Sequence, residues 1–441
     1  MPRPGVRTLV AALAVLALVV AVLVAVTGPE FRRDAALGVT RLVLNPTAAP
    51  DTSVAVTFSA PPVARYSLEV EGPGGRAERV DAHADALSPT GRRWSTVLDG
   101  LRPGTEYRYR ILDRATTGQG GSAREQPEHG DWHSFTTATA GAADLDFLWF
   151  ADVQEGLDGA WPELVRDAVD AVPDAALSVH TGDLVDLPAE DSEWDAWFAG
   201  LGAAASSRLV VPVPGNHEGH GDPTFRAFRS NFTLPQDGPA GETSYVVDYQ
   251  GVRFVGLDGN RRLQEQADWL DGVLSEDPQP WTVVLLHQPV YSTAMDRSEP
   301  LVRGILGPVL QHHDVDLVLH GHDHGYARGY DEDAGTDTPG VTSGPVYVIA
   351  NAGTKDYAQQ PDGDNTWTRR GGVPVVRHGQ VTTFQSISVR GCRLEFAAVI
   401  GSKRPDATTD LRVGEVLDRF TIDRCAGEKA VTSGEAGGRL R

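Results

Sequence analysis

The chain has 441 residues, too many for one ordinary hydrophobic core, so two or three domains are expected. A hydrophobic share of 41% with 22% charged residues excludes a chain that is disordered throughout. Asp and Glu number 60 against 39 Lys and Arg, a formal charge of −21, which excludes nucleic-acid binding by general attraction to phosphate backbones.

The N-terminus carries Arg3 and Arg7 and then an unbroken apolar stretch over residues 9–26. As a helix it would span about 27 Å at 1.5 Å per residue, close to the hydrocarbon core of a bilayer. Residues 1–30 are therefore expected to be a membrane anchor through the N-terminal helix, with a cleaved signal peptide as the near rival. Either version puts the folded part outside the cytoplasm, membrane-anchored or secreted.

Residues 37–138 read as all-β. TSVAVTF alternates, RYSLEVEG follows, and LRPGTEYRYRI feeds a strand with Tyr107 and Tyr109 on one face. Short strands with Gly and Pro between them predict a sandwich whose tyrosines are core, and His83, His129 and His133 in this part are assigned no chemistry. Small residues over 138–143 form a natural linker.

Beyond the linker, strand-like runs alternate with the helical patterns WPELVRDAVDAV, DSEWDAWFAG and RRLQEQADWLDGVL, which predicts a layered α/β domain. Five of the runs end in metal-ligand residues. LDFLWF leads to Asp152 and Gln154, AALSV to Asp183, and RLVVPV to Asn216, His217 and Glu218. WTVVLL then leads to His287, and VDLVL to His322 and His324. Apolar runs of this kind read as strands buried on both faces, and such sheets gather ligands at the carboxyl ends of their strands. The five sets should converge on one crevice. Carboxylate, amide and imidazole in that number suit hard to borderline metals, enough for two ions sharing a carboxylate. By strand alternation His180 and His320 point away from the ligands and are either structural or support a ligand from behind. His312 and His313 fall on a predicted helix, and His220 on a solvated loop.

In order, Asp-x-Gln, Gly-Asp-x-x-Asp, Gly-Asn-His-Glu, His and Gly-His-x-His resemble the motifs of the calcineurin-like metallophosphoesterase superfamily. GHDHGYAR, and the domain in front, are similar to the purple acid phosphatases, whose catalytic domain follows a fibronectin type III-like domain. The resemblance implies two packed mixed β-sheets flanked by helices over residues 144–425. It also implies hydrolysis of phosphate monoesters or small diesters by metal-bound hydroxide, with two metal ions (Fe, Zn or Mn) per chain. Motif by motif, Asp183 would bridge the ions, Asp152 and His324 would hold the first, and Asn216, His287 and His322 the second. Gln154, where many relatives have His, would either ligate the first ion or hydrogen-bond its water.

Two departures bear on substrate. Asp186 stands where the purple acid phosphatases have the Tyr that gives their colour, and the loop after His287, QPVYSTAMDRSEP, has no histidine. GDLVD with GNHE is instead similar to the protein Ser/Thr phosphatases. On that likeness Asp186 accepts a hydrogen bond from His217, which can then donate a proton to the leaving oxygen. Arg297 or Arg328 are the candidates for binding substrate oxygens. The competing reading is a cell-surface binding protein on an inactive metallophosphoesterase scaffold, and retention of six family-type ligands argues against it.

After Gly344 the runs PVYVIANAG, TTFQSISV, CRLEFAAVI and GEVLDRFTI are expected to complete one of the two sheets, and the acidic loop at 331–337 to be solvated. Cys392 and Cys425, the two cysteines, end strand-like runs. They would form a disulfide in an oxidising compartment, with two buried free thiols as the alternative. The Gly-, Glu- and Ser-rich tail over 426–441 is expected to be disordered.

Overall fold

Runs of Val, Leu, Phe and Trp do form the strands expected of them, and they lie at the middle of two large sheets. The computed structural model describes residues 32–62, 65–86, 92–114, 128–276 and 278–440. The expected anchor over 1–30 lies outside the described residues. Among those that are described, no helix is long and apolar enough to cross a membrane.

The first sheet of the larger domain is parallel at its centre, where Leu145–Phe150, Leu177–Thr181 and Leu209–Val213 run side by side. Val381–Arg390, Arg393–Lys403 and Val416–Asp423 extend it on the antiparallel side. A second sheet of seven strands has its own parallel block, Val252–Leu257, Trp281–Leu286, Leu317–His320 and Val346–Ile349. The sheets face each other through side chains such as Phe147 and Phe254, whose rings meet edge to face at 5.2 Å. Helices Ala160–Ala171 and Asp191–Leu201 cover one outer face, and Leu263–Ser275 packs on the other. Both parallel blocks are buried on both faces, as their continuous apolar runs require.

The fibronectin type III-like sandwich is present, with Tyr107 and Tyr109 in its core. One of its sheets contains Tyr66–Glu71 and Glu106–Asp113. The other is not separate: Thr40–Pro46 pairs in parallel with Leu209–Val213, so sandwich strands and strands of the larger domain make one sheet of twelve. The boundary at 138–143 therefore divides the sequence patterns but not the sheet. Tyr109 Oη donates to Ser206 O at 2.8 Å across the same junction.

Three expectations for the C-terminal part are corrected. Val346–Ile349 joins the seven-stranded sheet, while the three runs after it extend the other. The tail is ordered rather than disordered: Ala430–Ser433 pairs with both Val416–Asp423 and Val341–Thr342. Lys429 fastens it by donating to Asp314 O at 2.6 Å and Val315 O at 3.1 Å. In the loop at 331–337 most residues are exposed, but Asp331 is buried and accepts from Tyr291 Oη. Cys392 and Cys425 are joined, so the bridged alternative holds, with their Cα atoms 5.0 Å apart.

Candidate metal centre

The carboxyl ends of the two parallel blocks face the same crevice, and the five predicted sets meet there. Four of the predicted ligands, Asp152, Asp183, His322 and His324, adopt left-handed backbone, with φ of 53°, 51°, 75° and 46°. L-residues rarely rest in that region, and such strain persists only where surrounding structure enforces it. Glycine makes the close approach possible. A Cβ on Gly215 would fall 2.1 Å from Asp183 Oδ1, and one on Gly321 would fall 2.9 Å from Asp152 Oδ2.

Two groups of ligand atoms form, each with its atoms within 4.8 Å of one another: Asp152, Asp183 and His324 in one, and Asp183, His287 and His322 in the other. Asp183 belongs to both. His287 Nδ1–H donates to Thr181 O at 2.9 Å, which leaves Nε2 bare 3.2 Å from Asp183 Oδ2 and 3.1 Å from Asn216 Oδ1. His322 Nε2 lies 3.3 Å from Glu299 Oε1, so its proton sits there. Its bare Nδ1 then points at Asn216 Oδ1 (2.9 Å) and His287 Nε2 (3.2 Å). Lone pairs converging this way repel unless a cation lies among them.

Unpartnered atoms repeat the point in the other group. Asp152 Oδ2 and His324 Nδ1 are buried with no hydrogen-bond partner among the described residues, though Asp152 Oδ1 accepts from His322 N at 2.8 Å. Burial pushes the Asp152 carboxyl up to about 8, with His287 opposing and Asp183 adding to the rise. On Asp183 burial acts in the same sense, but His287, by charge and hydrogen bond, holds it below the usual carboxylate range. His324, pushed by burial down to about 2, is a neutral imidazole. Buried carboxylates and neutral imidazoles with free lone pairs fit divalent or trivalent metal, and this donor set fits two such ions.

His217 stands beside the groups. Its Nδ1 is 3.1 Å from Asp186 Oδ1 and 3.0 Å from Asp186 O, and its backbone N–H donates to Asp183 Oδ1 at 2.9 Å. Gln154 is buried, and its amide is satisfied at both ends when Nε2 donates to Asp183 Oδ2 (3.2 Å) and Oε1 accepts from His217 Nε2 and Lys355 Nζ (3.0 Å each). That network engages the amide oxygen that would otherwise be free to ligate.

Histidines excluded by strand alternation do lie elsewhere. His180 packs among Phe150, Trp161 and Trp197, and His320 Nδ1–H donates to Leu286 O at 3.0 Å, each ring pushed by burial to about 3. His220 is exposed, though its ring lies tilted against that of His217 with centroids 4.3 Å apart. His312 and His313 form an exposed group with Asp271, but His313 Nε2 is already spent on Asp271 Oδ1 at 2.8 Å. Of the two arginine candidates, Arg297 faces the centre, donating from Nη1 to His322 O at 2.9 Å. Arg328 does not. It is buried and bonds Asp418 at 2.6 and 2.9 Å, and Tyr326 Oη reaches the same carboxylate at 2.8 Å, so the GYAR segment clamps one sheet to the other.

Three groups escaped the sequence reading, and a fourth, Glu218, was named there without its role. Glu218, fully buried, accepts from the backbone N–H groups of Asp183 (2.9 Å), Leu184 (2.8 Å), Val185 (3.3 Å) and Gly215 (2.7 Å), and so fixes the turn that carries the shared carboxylate. Its place as the last letter of GNHE was the available signal. Glu299, Lys355 and Tyr357 come from loops with no motif at all.

Residues 130–326 match the calcineurin-like phosphoesterase family, and residues 42–131 match the fibronectin type III domain. An uncharacterized protein of Mycobacterium tuberculosis is 27% identical over 293 residues, 56% of this chain and 53% of its own length. Purple acid phosphatase 18 of Arabidopsis thaliana is 27% identical over 208 residues, 43% of this chain and 47% of its own. The chain thus spans about half the length of the curated relatives it matches. Among solved structures, a purple acid phosphatase isolated from yellow lupin seeds superposes with a TM-score of 0.72 at 20% identity, over 87% of this chain and 74% of that one, a likeness of fold.

Proposed function

The chain belongs to the calcineurin-like phosphoesterases, with a fibronectin type III domain in front, and from that premise we propose that it hydrolyses small phosphate esters with two metal ions per chain. The observation that carries the reading is the pair of ligand groups sharing Asp183, with Asp152 Oδ2 and His324 Nδ1 buried and unpartnered. Asp152, Asp183 and His324 would hold one ion, and Asp183, Asn216, His287 and His322 the other. When bound, the ions offset charge on the phosphate oxygens and make water a competent nucleophile near neutral pH.

The chain's own residues do the rest. Glu218 and Gly215 hold the Asp183 turn, and Glu299 and Thr181 fix the ring orientations of His322 and His287. His217 lies with Nδ1 on Asp186 and Nε2 toward the crevice, so a ring carrying both protons can pass the one on Nε2 to the departing oxygen. Asp186 keeps that ring turned. Because Asp186 offers no phenolate, the iron-loaded protein is expected to lack a visible charge-transfer band.

The test is metal analysis and a substrate panel of monoesters, diesters and nucleotides after reconstitution with Mn, Fe or Zn. About two ions per chain with turnover of at least one ester is expected, and one ion or none, or no turnover with any metal, rejects the reading. We also assign the folded part to an extracytoplasmic compartment, supported by the Cys392 to Cys425 bridge. Two titratable thiols in denatured, unreduced protein from its native source would reject that assignment.

A further inference from the structure

Lys355 has no part in the ligand groups, yet it is aimed at them. The chain meets nearly all its need for cations with arginine and has three lysines, Lys355, Lys403 and Lys429. Two of these have structural contacts: Lys403 donates to Thr409 O at 3.1 Å, and Lys429 pairs with Asp314 at 2.7 Å and Asp316 at 3.4 Å. Lys355 is half-buried, and its polar contact is the neutral Gln154 amide oxygen at 3.0 Å. In a chain of 60 carboxylates, none of the described ones pairs with it. A strongly hydrated ammonium held part-buried beside an amide keeps its charge available to a ligand.

The loop that carries it is fixed. Thr354 N–H donates to Glu155 O at 3.1 Å, Asn351 Nδ2 donates to Gly353 O at 3.1 Å and Lys355 O at 2.9 Å, and Asp356 pairs with Arg404. Tyr357 follows, its ring edge-on to His324 at 4.8 Å. Two cations pack on that ring, the Arg297 guanidinium at 4.4 Å from its centre and Lys355 Nζ at 5.8 Å. Arg297 spends Nη1 on His322 O and keeps further N–H groups. Tyr357 is thus a spacer that presents two cations, from two different loops, at the edge of the ligand groups.

We propose that Lys355 and Arg297, packed on Tyr357, clamp the non-bridging oxygens of a terminal phosphate and so select monoesters over diesters. The proposal rests on the phosphoesterase reading above. A monoester dianion has three non-bridging oxygens and a second negative charge, whereas a diester has two such oxygens and one charge. Cations beyond those needed for the reaction itself therefore favour the monoester, and charge-assisted contacts of this kind are the strong ones.

Lys355→Met in the metal-loaded protein is expected to raise KM for p-nitrophenyl phosphate and the inhibition constant of inorganic phosphate by about 10- to 100-fold. Turnover of bis(p-nitrophenyl) phosphate should change by less than about 3-fold, metal content should stay as in the parent, and Lys355→Arg should recover part of the loss. A second readout needs no turnover: inorganic phosphate should protect Lys355, and not Lys403, from reductive methylation followed by mass spectrometry. Equal loss on both esters, or methylation of Lys355 at one rate with and without phosphate, overturns the clamp. If the parent hydrolyses no ester, the phosphoesterase reading fails on its own, and the protection experiment still decides whether Lys355 binds phosphate.

Discussion

Two polar clusters of this protein, one at the sandwich junction and one in the crevice, are finished in opposite ways. At the junction, Arg41 and Arg93 are buried, and their guanidinium groups meet Asp191 at 3.1 and 2.9 Å and Asn231 Oδ1 at 3.3 and 3.0 Å. His133 there places one nitrogen 2.7 Å from Asp34 and the other 3.0 Å from Ser206 Oγ. Each cation has its carboxylate and the imidazole has a partner at both ends. In the crevice, carboxylates and imidazoles face one another with lone pairs bare and two atoms unpartnered. A closed cluster holds domains together. An open one asks for cations, and left-handed backbone at four of its residues, against Arg41 alone among those named at the junction, marks where the fold is strained to keep it open.

Removing the carboxylate common to both groups should break the open cluster most completely. Asp183→Ala is expected to lower turnover by at least about 10³-fold, because two cations would then face each other across the gap. Metal analysis after dialysis should find both ions lost or weakened, and full retention of two ions would reject the sharing of Asp183.

Asp186→Asn tests the element that borders the cluster without joining it. Both ions should stay, while turnover falls about 10²- to 10⁴-fold for esters with poor leaving groups and less for good ones. Loss of an ion in this variant would make Asp186 a ligand, and unchanged kinetics would leave it a bystander.

The closed cluster should respond the other way. Asp191→Ala leaves two buried guanidinium groups short of their shared, half-exposed carboxylate, with Asp195 and Asn231 still in reach, and is expected to cost on the order of 1 kcal/mol of stability. Thermal unfolding reads that loss, while metal content and kinetics at low temperature should match the parent. A variant that keeps its stability but loses metal would dissolve the distinction between the two clusters.

The open cluster was legible in the sequence because each candidate ligand follows a buried strand, and strands of a parallel block end on the same side. Asp152, Asp183, Asn216, His287, His322 and His324 were found this way, and alternation set His180 and His320 aside. The supporting residues were not found, because Glu299, Lys355 and Tyr357 reach the crevice from loops whose course depends on tertiary packing. Arg328 was misjudged for a related reason: its partner Asp418 lies 90 residues away on the other sheet. Composition hid the tail strand, since the four residues of AVTS carry little pattern of their own and pair with Val416–Asp423 beside the contacts of Lys429 and the Cys392 to Cys425 bridge. The junction was illegible in the same sense, as the Leu44 to Leu209 pairing joins two runs that each read as ordinary buried strands.

His180 offers the finest test, because it is a buried imidazole behind the crevice that belongs to neither cluster. Its Nε2 meets Ser178 Oγ at 2.9 Å, its Nδ1 has no partner, and the ring stacks on Phe150 at 5.4 Å. Burial alone lowers it from 6.5 to about 3, with no carboxylate to offset the cost of charge. Above pH 6.5 the ring is neutral in both the folded and the unfolded chain, so stability there does not depend on it. As pH falls from 6.5 toward 3, the unfolded chain takes up a proton that the folded one refuses, and stability drops by about 1.4 kcal/mol per pH unit. At pH 5 the contribution is about 2 kcal/mol against folding. His180→Phe fits the same aromatic surroundings and removes the titrating group. Its stability measured by urea unfolding should therefore fall less between pH 7 and pH 5 than the parent's, by about 2 kcal/mol. Parallel pH profiles for the two proteins would mean that His180 is protonated in the folded state, and that a carboxylate or the crevice itself reaches it.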